Sequence, residues 1–174
     1  MKKITAAILL AMMLLALTAC GAADTTIGSA MVVSMSGANA GEKDGKTQAD
    51  VTSCTVELDK DGKIVTVLWD VVQCKGTATA KGEVTVAESV TSKKDLKEGY
   101  NMKGASPIGK EWYEQIAALE EYAVGKTVAQ LAAMPFKTVG THTTVPDVEE
   151  LASSCTMDCG AFIQSLELAA KNAK

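Results

Sequence analysis

The sequence contains no arginine, and His142 is its only histidine. Arginine supplies the planar, bidentate donors that proteins use against phosphate backbones, so its absence argues against nucleic-acid binding. The chain also has no serine, histidine and acid set and no glycine-rich phosphate loop. Cys155 and Cys159 are separated by three residues, whereas zinc and redox motifs usually separate their cysteines by two. These absences exclude the enzyme classes that a sequence marks most clearly.

Long apolar runs are also scarce, and the single example lies at the N-terminus. It extends from Ile4 to Leu17, is interrupted only by Thr5 and follows Lys2 and Lys3. Its 14 residues fall short of the roughly 20 that a membrane-spanning helix needs. A charged start, an apolar middle and a small-residue end are typical of a signal peptide. We therefore predict that residues 1–19 are removed.

The end of this segment, Leu17-Thr18-Ala19-Cys20, resembles the lipobox of bacterial lipoproteins. The resemblance implies that the thiol of Cys20 is acylated with diacylglycerol and that Cys20 becomes the first residue after cleavage. It predicts a protein attached by lipid to the bacterial cell membrane and facing outside the cytoplasm. We expect residues 20–29 to form a short tether and residues 30–174 to form a single domain.

Removal of the signal leaves 155 residues, with 15 lysines against 21 acidic residues. A chain of this size can bury a substantial core but is too short for a two-domain solute receptor. Four cysteines remain beside Cys20: Cys54, Cys74, Cys155 and Cys159. In an exported chain they permit free thiols or two disulfides, in any of three pairings.

Two β-rich runs, Thr47–Leu58 and Lys63–Cys74, are separated by Asp59-Lys60-Asp61-Gly62 and predict a β-hairpin. A two-residue Asp61-Gly62 loop would place Cys54 opposite Trp69 and disfavour a disulfide between Cys54 and Cys74. The second run is apolar on both faces, which predicts a central strand covered on both sides.

Helical patterns follow this β-rich part. We predict helices beginning at Ser106-Pro107, at Thr127 and at about Cys159, with a loop from Phe136 to Pro146. Runs of strands followed by runs of helices predict an α+β fold, with a mainly antiparallel, twisted sheet and helices packed on it. Aromatic residues are few, and five of the seven could flank a planar ligand: Tyr100, Trp112, Tyr113, Tyr122 and Phe136.

The C-terminal stretch Ser153-Ser154-Cys155-Thr156-Met157-Asp158-Cys159, with the helix after it, resembles the end of the bacterial FMN-binding domain family. There, Ser-Gly-Ala-Thr precedes a terminal helix. The hairpin at Asp61-Gly62 and the Tyr100-Asn101-Met102-Lys103 segment are loosely similar to the same family. In this chain Ser154 replaces the motif glycine and Cys155 replaces the alanine.

The resemblance implies that FMN is held at or near Thr156 through a phosphoester bond, with Ser153, Ser154 and Cys155 beside it. It also implies a flavin transferase and a redox partner, and a function in electron transfer outside the membrane. From the residues alone, Thr156 and Asp158 are expected to cap the last helix. The alternative function is a cofactor-free cell-surface binding or adhesion module. Either way, we favour an electron carrier or binding module over a catalyst.

Overall fold

The computed structural model describes residues 24–39, 43–86 and 90–174. Its largest element is a four-stranded antiparallel sheet with the strand order β1-β2-β3-β4. The strands are β1 (Thr26–Ala38), β2 (Gly45–Leu58), β3 (Ile64–Ala78) and β4 (Val84–Val86). The helices are α1 (Lys93–Leu96), α2 (Trp112–Ala123), α3 (Val128–Ala132) and α4 (Gly160–Lys171), and a separate hairpin pairs β5 (Phe136–Val139) with β6 (His142–Pro146). The predicted α+β fold with an antiparallel sheet is confirmed.

The N-terminal signal and Cys20 lie outside the described residues. Strand β1 begins at Thr26, so residues 26–29, which we expected in the tether, belong to the sheet instead. They pair with β2 from Leu58 to Thr55, which extends the first strand beyond its predicted start. Within residues 24–39, 43–86 and 90–174, no helix is both long and apolar enough to cross a bilayer.

The hairpin between β2 and β3 has the predicted register, with Cys54 opposite Trp69. Its turn differs from the prediction. Asp59 and Lys63 close a three-residue loop, in which the amide of Gly62 donates to the carbonyl of Asp59 at 3.0 Å. Gly62 has a φ of 73°, a conformation that favours glycine. The Asp59 carboxylate accepts from the amides of Asp61 and Lys63, which explains the larger loop. A bulge near Leu58 then restores the predicted register.

Strand β3 lies between β2 and β4, but β4 pairs only with residues 76–78. Among the described residues, the run 63–74 that we predicted as central therefore has β2 as its one strand partner. Its cover is also confined to one face. On the inner face, Val67, Trp69 and Val71 are buried. On the outer face, Val65 and Leu68 remain 43% and 56% exposed. Helices α2 and α4 pack on the inner face, so the prediction of cover on both sides is wrong. A run that is apolar on both faces therefore does not by itself identify a central strand covered on both sides.

The core lies between the inner face and helices α2 and α4. The indole Nε1 of Trp69 donates to the carbonyl of Phe162 at 3.0 Å, and the two rings are 6.0 Å apart. At the edge of the sheet, a Cβ on Gly28 would lie 1.9 Å from the carbonyl oxygen of Ala169. The absence of a side chain at Gly28 therefore permits the close approach of α4 to β1.

Helix α2 begins at Trp112, five residues after the predicted Pro107. Glu111 is its N-cap, and the side chains of Glu111 and Glu114 form a reciprocal capping box. Ser106 does not cap a helix, because its hydroxyl accepts from Gln115 at 3.0 Å. Residues 106–111 therefore form a loop against the helix. The capping by Thr127 of α3 is confirmed.

The segment predicted as a loop from Phe136 to Pro146 is the hairpin of β5 and β6. Its four-residue and five-residue strands are too short and polar to stand out in the sequence. Helix α4 begins at Gly160, close to its predicted start. The fold thus brings the β5–β6 hairpin, the loop before α2 and the start of α4 to one end of the inner face.

Candidate functional site

A cleft of about 550 Å³ lies at the end of the inner face that α2 and α4 leave uncovered. Its floor is a polar row across three strands, in which Ser34 pairs with Asp50 and Asp50 pairs with Gln73. Side chains around it include Lys93, Tyr100, Met102, Trp112, His142, Thr156, Asp158 and Phe162. A volume of this order falls within the range of small-molecule and cofactor pockets. This cleft is the candidate site.

A second depression of about 490 Å³ is formed by strand ends near Ser36, Lys46 and Thr47. It contains no aromatic residue and none of the residues that the sequence motif points to. Because ligand sites usually combine apolar or aromatic walls with a few polar groups, the cleft is the better candidate.

Two aromatic rings form one wall of the cleft, with an amine between them. The Nζ of Lys93 lies 4.7 Å from the ring centre of Tyr100 and 5.5 Å from that of Trp112. These distances are typical of cation–π contacts. Phe162 continues the wall, with its ring 6.1 Å from Trp112. The wall therefore offers flat apolar surface and a positive charge at the same place.

The predicted aromatic cluster divides when the chain folds. Tyr100 and Trp112 line the cleft, whereas Tyr113, Tyr122 and Phe136 do not. The hydroxyl of Tyr113 donates to Glu98 at 3.0 Å, and this contact raises the pKa of Tyr113. A hydrogen bond from its own backbone amide, and then the contact with Tyr113, lower the pKa of Glu98. The ring of Tyr122 instead lies 3.7 Å from the Nζ of Lys126. Proximity in sequence overstated the size of the aromatic surface.

Thr156 lies in the cleft wall and is held by a buried glutamine of α2. The amide of Thr156 donates to the Oε1 of Gln115 at 2.9 Å, and its hydroxyl approaches the same oxygen at 3.3 Å. Gln115 is 0% exposed, and its Nε2 donates to Ser106 and to the carbonyl of Lys110. Gln115 therefore joins the loop before α2 to the segment that carries Thr156.

The other three predicted site residues do not line the cleft. Ser153 is exposed, and the hydroxyl of Ser154 donates to the carbonyl of Glu150 at 3.3 Å. Cys155 is 1% exposed and belongs to the core. A turn at residues 152–154 directs these side chains away from Thr156. Of the predicted set, the structure brings only Thr156 to the cleft.

Asp158 connects the β5–β6 hairpin to the start of α4. Its carboxylate accepts from the amides of Thr143, Thr144 and Gly160 and from the hydroxyl of Thr144. Burial acts to raise the pKa of Asp158, but the hydrogen bonds from Thr144 and from these amides outweigh it, so the pKa is lowered. The N-cap of α4 is Cys159, so neither Thr156 nor Asp158 is the cap that we expected. Asp158 instead accepts from the first helical amide, that of Gly160, and Thr156 bonds to Gln115.

The loop that carries Tyr100 and Met102 is fixed by Glu111. The carboxylate of Glu111 accepts from the amides of Met102 and Lys103 at 2.8 and 3.1 Å. Glu111 is 4% exposed and is also the N-cap of α2. A single side chain therefore sets both the start of the helix and the position of one cleft wall.

The sequence alone did not identify His142, Lys93 or the polar floor as site residues. One signal for the floor was present, because the correct hairpin register places Asp50 opposite Gln73 on the face that holds Trp69. Polar residues at core-facing positions indicate that the core ends there. Among the described residues, Asp50 Oδ1 is the buried side-chain oxygen without a hydrogen-bond partner. Within the same residues, no cluster of three or more histidines, cysteines or acids could hold a metal ion.

Comparison with known proteins gives one partial match. A 95-residue alignment is 33% identical to a protein named chlorophenol reductase from Desulfitobacterium hafniense. It covers 47% of this chain and 29% of that protein, so this chain spans less than a third of the reductase. No family model matches the chain, and no solved structure matches it significantly. The partial match covers too little of either protein to assign a family.

Proposed function

We propose that this protein is a lipid-anchored, extracytoplasmic electron carrier that binds FMN in the cleft, with Thr156 as the attachment or phosphate-contact residue. One observation carries the proposal: Thr156 shares a cleft with Tyr100 and Trp112, which are 56 and 44 positions away in the sequence. The sequence resemblance pointed to Thr156, and the cleft joins it to an aromatic wall. FMN needs both a phosphate contact and a flat surface for its ring.

The residues of the cleft fit this ligand in three respects. The aromatic wall of Tyr100, Trp112 and Phe162 matches a planar ring system. Lys93 is the ammonium group that lines the cleft and would offset the charge of a phosphate. The partnerless Oδ1 of Asp50 is an acceptor of the kind that a ring N–H satisfies.

Asp158 opposes a phosphate at Thr156 by its charge. Four hydrogen bonds from the protein engage its carboxylate, however, and these stabilise the charge without help from a ligand. The amide of Gly160, at the start of α4, is taken by the same carboxylate. The phosphate contact would therefore depend on Thr156 and Lys93 rather than on the helix terminus.

Electron transfer suits the chemistry of this chain. FMN, when bound, supplies the redox chemistry itself, and the protein supplies position, electrostatics and shelter from solvent. The cleft contains serine, histidine and aspartate side chains, but among the described residues no hydrogen bond joins His142 to a serine or an acid, so a carrier is favoured over a catalyst. The partial match to a protein named as a reductase supports a redox function.

The lipid anchor also fits the fold. Cys20 lies six positions before the start of β1 at Thr26, and an extended chain of that length spans roughly 20 Å. The first strand would therefore lie close to the membrane surface. Two or three acyl chains on one cysteine suffice for stable anchoring.

Flavin binding is tested by co-expressing the full chain with a flavin transferase. Wild type and Thr156→Val are purified, and their flavin absorbance is measured before denaturation. In-gel fluorescence and intact mass after denaturation then report covalent attachment. We expect fluorescence in the wild type and its loss in Thr156→Val, because valine keeps the shape of threonine without its hydroxyl. Thr141→Val, at the exposed turn of the β5–β6 hairpin, is the matched control and should behave as wild type.

Fluorescence that persists in Thr156→Val would place the attachment at another residue. No flavin in any of the three proteins, covalent or dissociable, would contradict the flavin proposal and leave the cofactor-free binding or adhesion module as the better function.

Anchoring is tested separately by Cys20→Ala. We expect the wild type in the membrane fraction and the variant in the soluble fraction, because the variant lacks the acylated thiol. An unchanged membrane fraction for Cys20→Ala would contradict the lipobox interpretation.

A further inference from the structure

We infer that Cys155 and Cys159 form a disulfide that closes the segment 156–158, the part of the cleft wall that carries Thr156. This modification concerns thiols that the flavin proposal does not use. It gives the cleft a covalent support directly behind its wall.

The two thiols are buried next to each other. Cys155 is 1% exposed and Cys159 is 0% exposed, and both belong to the core beneath the cleft. Both thiols are free in this structure, and the thiol of Cys159 donates to the carbonyl of Met157 at 3.5 Å. Contact between the two thiols is the largest influence on the pKa of each, lowering that of Cys155 and raising that of Cys159. The three residues between them, Thr156, Met157 and Asp158, all line the cleft. A bond between the sulfur atoms would therefore fix the ends of this wall segment.

The fold removes the other pairings that four cysteines allow. Cys74 lies opposite Ala49 on the outer face of the sheet and is exposed. Cys54, Cys155 and Cys159 are buried on the helical side, so the sheet separates Cys74 from each of them. Burial of Cys54 raises its pKa to about 12, which leaves it a poor nucleophile. This leaves one disulfide, between Cys155 and Cys159, and two free thiols, Cys54 and Cys74.

The chemistry is thiol–disulfide exchange with a small disulfide such as oxidised glutathione. Because both thiols are buried once the chain has folded, the exchange takes place during folding, while the oxidant can still reach them. Cys155 attacks one sulfur of the oxidant, forms a mixed disulfide and releases one glutathione. Cys159 then loses its proton and attacks the sulfur of Cys155, which releases the second glutathione. Two S–H bonds are lost, one S–S bond forms, and the oxidant is reduced to two thiols.

The test uses the full chain, reduced and denatured in detergent, then refolded in a glutathione redox buffer, quenched in acid and alkylated. Cleavage after lysine separates the cysteines, because Cys54 lies in peptide 47–60, Cys74 in peptide 64–75, and Cys155 with Cys159 in peptide 138–171. We expect peptide 138–171 without label and lighter than its dithiol form by two hydrogens, about 2 Da. The peptides of Cys54 and Cys74 serve as internal controls and should carry no link to another peptide.

Two labels on peptide 138–171, or a link from it to peptide 47–60, would overturn the pairing. The locking effect is measured by thermal unfolding with and without a phosphine reductant. We expect the reductant to lower the midpoint of the wild type and to leave that of the Cys155→Ser, Cys159→Ser double variant unchanged. An equal midpoint in oxidised and reduced wild type would overturn the locking effect. Neither measurement involves flavin, so a failure of the disulfide proposal can be distinguished from a failure of the proposed function.

Discussion

The inner face of the sheet has two ends that share strands and register but differ in their environment. The core end, with Cys54, Val56, Val67 and Trp69, is buried beneath α2 and α4. The cleft end, with Ser34, Asp50 and Gln73, is half-open and covered only by loops and the β5–β6 hairpin. The comparison shows that alternation assigns a residue to a face, whereas the covering segments decide whether that face becomes core or site.

The largest effect on stability is expected at the core end. Trp69→Ala should reduce the free energy of unfolding by about 3–5 kcal/mol, because it removes a fully buried ring and leaves a cavity. It also removes the hydrogen bond to the carbonyl of Phe162. Urea unfolding followed by circular dichroism measures the change.

The matched control is Leu68→Ala, the adjacent residue on the outer face, which is 56% exposed. Its cost should stay below about 1 kcal/mol. Equal costs for the two variants would contradict the distinction between the covered inner face and the open outer face.

A smaller effect is expected where the two ends meet, at Gln115. Gln115→Leu keeps the volume but leaves the amide of Thr156 without its partner, and it should cost about 1–3 kcal/mol. Gln164→Leu, on the exposed side of α4, should change stability by less than about 0.5 kcal/mol. Flavin retention should fall in Gln115→Leu alone, because Thr156 loses its support. Retention at the wild-type level would show that Gln115 does not position the site.

The contribution of Asp158 should depend on pH. Its pKa is lower in the folded state than in the unfolded chain, so its stabilising effect is complete above the unfolded value of about 3.9. The effect is lost as the pH falls through the folded pKa. Since the carboxyl is only partly buried, solvent screens the effect, and we expect less than about 1 kcal/mol.

Urea midpoints of the wild type and Asp158→Asn should therefore differ at pH 7 and converge in strong acid. Asp44→Asn, an exposed change, is the control and should follow the wild type throughout. A constant difference between wild type and Asp158→Asn from pH 7 down to strong acid would show that Asp158 does not act through its charge.

The smallest effect on stability is expected at Thr156, in the cleft wall. Thr156→Val should cost less than about 1 kcal/mol, because the amide bond to Gln115 remains and only a 3.3 Å hydroxyl contact is lost. The same change should remove covalently retained flavin. A large loss of stability in thermal or urea unfolding would mean that Thr156 serves the core rather than the site.

The sequence predicted the elements whose signals are local. Alternation over some 28 residues identified the β2–β3 hairpin, and its register was correct although the turn was not, because the bulge near Leu58 offsets the extra residue of the loop. The cap at Thr127 was correct because a capping box needs only four residues. The start of α2 was misplaced because Ser106-Pro107 is an equally good local signal, and the interactions of Glu111 with Met102 and Lys103 decide against it.

By itself, the sequence determined the fold class and the main hairpin, since periodicity and turn chemistry are local properties, and a short motif pointed to Thr156 as the residue to test. Only the tertiary structure decided which residues accompany Thr156. The polar floor comes from β1, β2 and β3. The aromatic wall comes from the loop before α2, from α2 itself and from α4. The hairpin with His142 comes from a segment without a strand signal. These parts meet because the helices bury the apolar end of the sheet and leave its polar end uncovered.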